Sequence, residues 1–238
     1  MMKYIVIFSF LVLVQECMGQ RILIVNGTAH IGNGEIVETA AIGIQDGKIL
    51  FVKNALTNAL QRKDWDTIID AENQHVYPGL VAANSTLGLT EIDAVRATRD
   101  FNDVGELNPH VRSQVAFNVE SRVIETVRTN GVMITQATPR GGIISGSSSL
   151  MYLSGWNWED ATVLADDGIH VNWPTSTQGG GWWAEPAPKS RNQNYQKEKQ
   201  TIIDFFDLAK VYAESQKNVE DLRLNAMKDC FDGQKRVY

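Results

Sequence analysis

The sequence predicts an α/β fold in two parts, a small layer of short strands followed by a parallel β-loop-α-β unit. Residues 20–77 contain short apolar runs separated by polar turns, which is typical of short strands. The turn Pro78-Gly79 then leads into the apolar run 80–83, which ends in small polar residues as a buried parallel strand does. An amphipathic segment and another apolar run follow, and this alternation favours parallel pairing.

The N-terminus has the three-part form of a secretory signal. Lys3 precedes the apolar run 5–14, and a glycine ends the predicted signal sequence, residues 1–19. The alternative is a membrane anchor, but this run is well short of the ~20 residues that span a bilayer as a helix. Lipidation of Cys17 is disfavoured because Glu16 precedes it where a small residue is needed. We expect a secreted or periplasmic protein with no membrane attachment after cleavage.

The net charge limits which partners are expected, and the cysteine content limits how the folded chain can be stabilised. The 238 residues carry a formal net charge of -6, and no basic cluster interrupts the sequence. Nucleic acid is therefore excluded as an expected partner. Removal of the signal would leave Cys230 as the one cysteine, so no intramolecular disulfide is expected. The predicted mature chain must be stabilised by packing.

Residues 20–77 are predicted to form a small antiparallel β-layer. Asp46-Gly47 is a strong two-residue hairpin signal, since both turn positions of the favoured type need positive φ. The predicted strands are residues 22–25, 41–45, 48–52, 67–69 and 75–77.

The segment after residue 110 is predicted to be a long amphipathic helix that leads into a second parallel strand. Valines recur every four residues, and Asn130-Gly131 supplies a left-handed stop. The valines are Val111, Val115, Val119, Val123 and Val127. Residues 132–135 then form the next strand, with 90–110 as a long loop on the crevice side. Further helices are predicted over 201–216, with one apolar face, and over 219–230.

Two segments between the second strand and the later helices are predicted to be irregular. Residues 138–149 are rich in glycine and serine, and Arg140 could clamp an anion there, although no phosphate-loop motif is present. We favour a turn. Several tryptophans lie beside acidic groups in 156–173, and two more are Trp182-Trp183. They could line a substrate site or pack a long irregular loop against the core, and we favour the packing role.

The Pro-Gly strand, preceded by Ile69-Asp70-Ala71, resembles the first barrel strand of the metal-dependent amidohydrolases, especially the imidazolonepropionase-like branch. In that family the strand ends in Asp-x-His-x-His, whose histidines hold a divalent metal such as zinc. This chain has Ala82, Asn84 and Thr86 at those positions, so the His-x-His pair is replaced by Asn84-Ser85-Thr86. Because Asn84 and Thr86 are two residues apart, both are expected to point into the crevice.

The resemblance implies a small β-sandwich half-domain over 20–77 followed by an incomplete (β/α) barrel over 78–238. A closed barrel needs eight βα units, and we predict two or three. The chain is thus expected to be a fragment, a subunit that completes its barrel with a partner chain or a missing C-terminal half, or a divergent domain. None of the four histidines lies two residues from another. Arg140, His110 and His170 are candidate crevice residues; no catalytic residue and no metal are predicted for this chain.

The sequence and the resemblance support two functional hypotheses, one for an enzyme-related protein and one for a non-catalytic protein. The resemblance implies an exported amidohydrolase-related protein, in a family that hydrolyses non-peptide C–N bonds such as those of cyclic amides with metal-activated water. We expect this chain to be inactive alone, because the first metal-ligand pair is missing. The alternative is a non-catalytic binding protein or subunit that keeps the scaffold and uses the crevice or an exposed sheet edge.

Overall fold

The computed structural model describes residues 20–182, 184–215 and 220–238. The predicted signal sequence, residues 1–19, lies outside this described part. The protein is a mixed α/β protein made mostly of strands, and it divides into two compact units between Pro78 and Gly79. No helix in the described ranges is both long enough and apolar enough to cross a membrane.

The N-terminal unit is built on one five-stranded sheet. Its strands are β1 (Arg21–His30), β2 (Ile36–Gln45), β3 (Lys48–Asn54), β4 (Thr67–Asp70) and β5 (His75–Val76). Their order is β3-β2-β1-β4, and β5 also pairs with β1. The strands β1, β2 and β3 are antiparallel neighbours, whereas β4 and β5 run parallel to β1.

The hairpin in this sheet is confirmed, but the fully antiparallel layer is wrong. Asp46 and Gly47 join β2 to β3 with φ of 53° and 72°, the left-handed values that the sequence predicted. Residues 55–66 then carry the chain from β3 to the far side of β1. A connection of this length allows β4 to pair in parallel, which a tight hairpin does not.

Both faces of the N-terminal sheet carry apolar side chains. Leu23 and Ala41 are fully buried on one face, where Phe51 and Trp65 pack edge to face with ring centroids 5.8 Å apart. A Cβ added at Gly43 would lie 2.6 Å from each of these two rings, so glycine is required for their close approach.

The C-terminal unit contains a second five-stranded sheet, a two-stranded hairpin and three helices within the described residues. The elements are β6 (Leu80–Ser85), α1 (Arg122–Arg128), β7 (Val132–Ala137), β8 (Ile144–Tyr152), β9 (Thr162–Val171), β10 (Thr177–Trp182), β11 (Glu185–Arg191), α2 (Tyr195–Glu214), α3 (Leu222–Ala226) and β12 (Arg236–Val237). The sheet order is β12-β9-β8-β7-β6. The predicted unit β6-loop-α1-β7 is confirmed as a parallel pair, but β8 and β9 continue the sheet in antiparallel fashion.

The predicted helix over 111–127 is mostly wrong, since the α-helix spans only Arg122–Arg128. Two polar side chains in its first half are buried and bonded to strands. The Ser113 hydroxyl donates to the Ala137 carbonyl at 2.6 Å, and the Gln114 amide donates to Thr162 Oγ1 at 2.7 Å. These contacts favour an irregular path, while β-branched valines favour helix only weakly.

The predicted irregular segments contain two long strands. Residues 138–149 were predicted to be a turn, yet β8 begins at Ile144. Residues 156–173 were predicted to be a pinned loop, yet β9 begins at Thr162. Among the described tryptophans of that loop, Trp158 packs against the core while Trp156 is 91% exposed.

The apolar face predicted for the helix over 201–216 is confirmed in α2. In α2 the side chains of Ile202, Phe205 and Ala209 are buried. Phe205 and Ala209 belong to one core cluster with side chains from β8, β9 and α3. A second cluster lies beside α1 and β7. Its buried members are Leu87, Leu89, Phe117, Ile124, Ala137, Met151, Leu153 and Ala161. The predicted helix over 219–230 is shorter than expected, with α3 followed by a 3₁₀ turn, Lys228–Cys230. Residues 216–219 lie outside the described part.

Candidate functional site

The carboxyl ends of β6, β7 and β9 lie at one edge of the second sheet. The strands β6 and β7 are parallel, and β9 runs the same way because β8 is antiparallel to both β7 and β9. Polar side chains stand near each of these ends, Asn84 on β6, Gln136 on β7 and His170 on β9. The carboxyl edge of parallel strands is where α/β sheets place their ligand crevices, so this edge is the candidate site.

Asn84 is held by the guanidinium of Arg140. Arg140 Nη1 donates to Asn84 Oδ1 at 2.7 Å, and Arg140 Nη2 donates to the Asn84 carbonyl at 2.6 Å. The β6–β7 register shifts between Ala82 and Ser85, and Asn84 has φ of 50°, which asparagine tolerates better than most residues. A bulge therefore presents the Asn84 side chain and carbonyl to one planar cation.

Gln136 links this contact to a buried polar cluster. Its side-chain oxygen accepts from the Asn84 N–H at 3.0 Å, and its amide donates to Asp167 Oδ2 at 2.9 Å. The amide also lies 3.4 Å from Ser148 Oγ. Gln136 is 7% exposed, so its polar atoms depend on these partners rather than on water.

Ser148, Asp167 and His170 are arranged differently from a catalytic triad. Ser148 Oγ lies 2.5 Å from Asp167 Oδ1 and 2.8 Å from His170 Nε2. The serine has one hydrogen, and the carboxylate can only accept, so the hydroxyl donates to Asp167 and His170 Nε2 donates to the hydroxyl. His170 then donates to the hydroxyl instead of accepting its proton as the histidine of a triad does, and Ser148 is fully buried. The cluster holds the crevice wall together and supplies no nucleophile.

The surroundings of His170 lower its pKa. Burial lowers the pKa of His170 below its usual value, the Asp167 carboxylate opposes this, and the Arg140 cation adds to it. The imidazole is 8% exposed and stacks on the Tyr238 ring with centroids 5.0 Å apart, and the Tyr238 hydroxyl donates to Asp167 Oδ2 at 3.1 Å.

This lowered pKa predicts a loss of stability in mild acid. As the pH falls through about 6.5, the unfolded chain gains a proton at this histidine while the folded chain does not, so the free energy of unfolding decreases. Denaturant unfolding at pH 8 and pH 5 measures the decrease, and His170→Gln should make it smaller. Equal pH dependence of the wild type and His170→Gln would show that His170 titrates normally when folded.

The other predicted positions lie apart from this cluster. His110 is exposed and lines a separate cavity of about 700 Å³ with Asp100, Phe101 and Arg112. Thr86 is half-buried, and its carbonyl accepts from the Leu89 N–H at 2.9 Å. The bulge at Asn84 breaks the alternation that was expected to direct both side chains into the crevice.

Three cluster residues were missed by the sequence reasoning. Gln136 directly follows the predicted strand 132–135, so the rule that selected Asn84 could have found it. Ser148 and Asp167 lie on strands that were predicted to be irregular, which hid their proximity. Chemically, the arrangement offers a fixed cation and satisfied hydrogen bonds. The described residues contain no group of three or more histidine, cysteine, aspartate or glutamate side chains that could hold a metal ion.

Comparison with known proteins relates the chain to others through its fold. No family model matches, and no curated protein matches. The structure is similar to that of an amidohydrolase from Thermotoga maritima MSB8, with a TM-score of 0.68 and 19% identity, over 87% of this chain and 55% of that one. The chain thus shares the fold of this amidohydrolase and spans about half of its length. A. niger ochratoxinase is a weaker match, with a TM-score of 0.26 and 22% identity, over 33% of this chain and 18% of that one.

Proposed function

We propose that the chain is an exported amidohydrolase-related protein whose crevice has exchanged a metal ligand pair for an arginine–asparagine contact. Its N-terminal unit corresponds to the β-sandwich half, and its C-terminal unit to an incomplete barrel. The family activity is hydrolysis of non-peptide C–N bonds, and this chain alone lacks it. The fold shared with the Thermotoga maritima amidohydrolase and the Pro-Gly strand support the relationship.

The contact between Arg140 and Asn84 carries the proposal. The Asn84 amide oxygen, which stands where the resemblance implies a metal ligand, already accepts from a cation at 2.7 Å. A divalent ion at the same oxygen would lie beside that positive charge and would be repelled by it. Amide and hydroxyl oxygens also bind a borderline-soft ion such as zinc poorly. These donors do not fit a zinc ion.

A second candidate is the non-catalytic binding protein or subunit. Its supporting observation is the edge strand β6, where Leu80 is 59% and Val81 is 55% exposed. Apolar side chains on an open strand edge are normally covered by another segment or chain. Such a partner would pair with β6 and leave the Arg140 contact unchanged.

Hydrolase assays test the proposed function. We expect no turnover of cyclic amides or Xaa-Pro dipeptides by the wild type with zinc or manganese, and none by the double variant Asn84→His, Thr86→His. Two histidines without further ligands or a positioned base hold the ion weakly and leave its water unactivated.

One assay result would contradict the expected inactivity. Turnover by the wild type that a chelator abolishes would show that the active site is elsewhere in the chain. Thermal unfolding of the double variant serves as the control, because a cooperative transition near that of the wild type shows that inactivity is not caused by misfolding.

A further inference from the structure

Three aromatic rings meet at one end of the N-terminal sheet. His30 Nε2 lies 2.8 Å from His75 Nδ1, and the two ring planes are tilted by 38°. The Tyr77 ring stacks on His30 with centroids 4.3 Å apart and planes 12° apart. All three belong to the N-terminal unit.

The strand register explains why two histidines that are 45 positions apart meet. The strands β1 and β5 are parallel, with Thr28 beside His75 and Ala29 beside Val76. Side chains alternate along a strand, so His30 lies on the same face as Thr28 and diagonal to His75. Tyr77 is one further alternate position along from His75, which places its ring over His30. Backbone pairing therefore fixes the imidazole pair, and the tyrosine restricts the His30 ring.

The pair has one ring nitrogen of each histidine within hydrogen-bond distance of the other. Only one proton fits between His30 Nε2 and His75 Nδ1, so one nitrogen donates and the other presents its lone pair. If that proton moves to the solvent side of its own ring, both nitrogens present lone pairs. Neutral imidazole nitrogens in this arrangement form a two-point chelate for a transition metal.

The nitrogen separation favours a particular coordination geometry. With metal–nitrogen bonds of about 2.0 Å, two nitrogens 2.8 Å apart subtend about 90° at the metal, as neighbouring ligands in a square plane do. A tetrahedral ion would need the nitrogens about 3.3 Å apart. Square-planar nitrogen sites are typical of Cu(II) and Ni(II), and Cu(II) binds nitrogen ligands more tightly than Ni(II) or zinc.

The surroundings leave room for the rest of a coordination sphere. His75 is exposed and His30 is half-buried, so both can be reached from solvent. They line an open cavity of about 390 Å³ together with Thr28, Glu38 and Asn73. Water can fill the remaining ligand positions, and the Glu38 carboxylate gives the cavity a negative charge that attracts a cation.

We propose that His30 and His75 form a surface site for a square-planar divalent metal, with Cu(II) preferred over Ni(II) and zinc. The site is independent of the proposed function, because its ligands lie in the N-terminal unit and the argument uses no residue of the crevice. It consists of two imidazoles and water.

Titration of the untagged full chain with Cu(II) tests the site. We expect one equivalent to bind at pH 7.5, with an electron paramagnetic resonance spectrum of a tetragonal ion with two nitrogen ligands. Either single variant, His30→Gln or His75→Gln, should weaken binding by tenfold or more, because one chelate arm is lost.

His110→Gln is the matched control, since it removes one exposed histidine from the other unit and should leave Cu(II) affinity unchanged. Thermal melts without metal check that the variants fold, and Cu(II) should raise the melting temperature of the wild type and of His110→Gln only. The proposal is overturned if no stoichiometric Cu(II) binds, if both His30→Gln and His75→Gln bind it as the wild type does, or if zinc binds more tightly than Cu(II).

Discussion

Replacing Ile169 with alanine is expected to lower the free energy of unfolding of the C-terminal unit by about 3 kcal/mol. Ile169 is fully buried in β9 and belongs to the cluster in which Ile144 of β8 meets Phe205 and Ala209 of α2. Loss of its side chain removes buried apolar surface and leaves a cavity between the sheet and the helix, which a packed core fills only in part. Denaturant unfolding monitored by circular dichroism measures the change.

The matched control is Ile203→Ala, which removes the same atoms from a side chain of α2 that is 36% exposed. It should cost about 1 kcal/mol or less, since less surface is returned to water. If Ile203→Ala cost as much as Ile169→Ala, α2 would have to present a different face to the sheet.

Replacing Asp167 with alanine is expected to cost about 3 kcal/mol through its hydrogen-bond partners. Asp167 accepts from the Ser148 hydroxyl, the Gln136 amide and the Tyr238 hydroxyl, and the first two side chains are buried. Without the carboxylate, buried donors lose their acceptor and have no water to replace it.

Asp93→Ala provides the comparison, because Asp93 is an exposed carboxylate in a loop and its loss should change stability by only about 0.5 kcal/mol. Asp167→Asn should cost less than Asp167→Ala, since the amide keeps one acceptor oxygen. An Asp167→Ala protein as stable as the wild type would mean that the polar cluster contributes nothing to folding.

The parts of the fold that were predicted correctly are those in which local pattern and tertiary structure agree. The Asp46-Gly47 turn has its left-handed backbone, and the run from Leu80 pairs in parallel with the strand at Val132 as predicted. In α2 the apolar face is the buried face. In each case, burial on one side or a special turn conformation determines which residue types occur in the segment.

Where tertiary contacts opposed the local pattern, the sequence reasoning failed. The valine repeat predicted a helix, but Val115 is 56% exposed, while the polar side chains of Ser113 and Gln114 are buried and bond to neighbouring strands. The strand β8 was hidden because Ser147 and Ser148 are polar yet buried, so its burial has no hydrophobic signature. Their burial depends on partners distant in sequence, which a single segment does not reveal.

The candidate site was predicted only in part, because its contacts also join residues that are distant in the sequence. Asn84 was chosen by its position at a predicted strand end and Arg140 by its position in a glycine-rich turn, and the structure brings the Arg140 guanidinium onto Asn84. No local pattern predicts that Arg140 contacts that particular residue, because the bulge that turns Asn84 depends on the register with β7.

Calorimetric titration with zinc tests most directly the claim that Arg140, and not a metal, occupies the ligand position at Asn84. The protein for this test carries His30→Gln and His75→Gln, so that the proposed surface pair contributes no binding. We predict no stoichiometric zinc binding at pH 7.5. Binding of one equivalent of zinc that is lost in Asn84→Ala or Thr86→Ala would contradict the account, because it would place a metal where the guanidinium is.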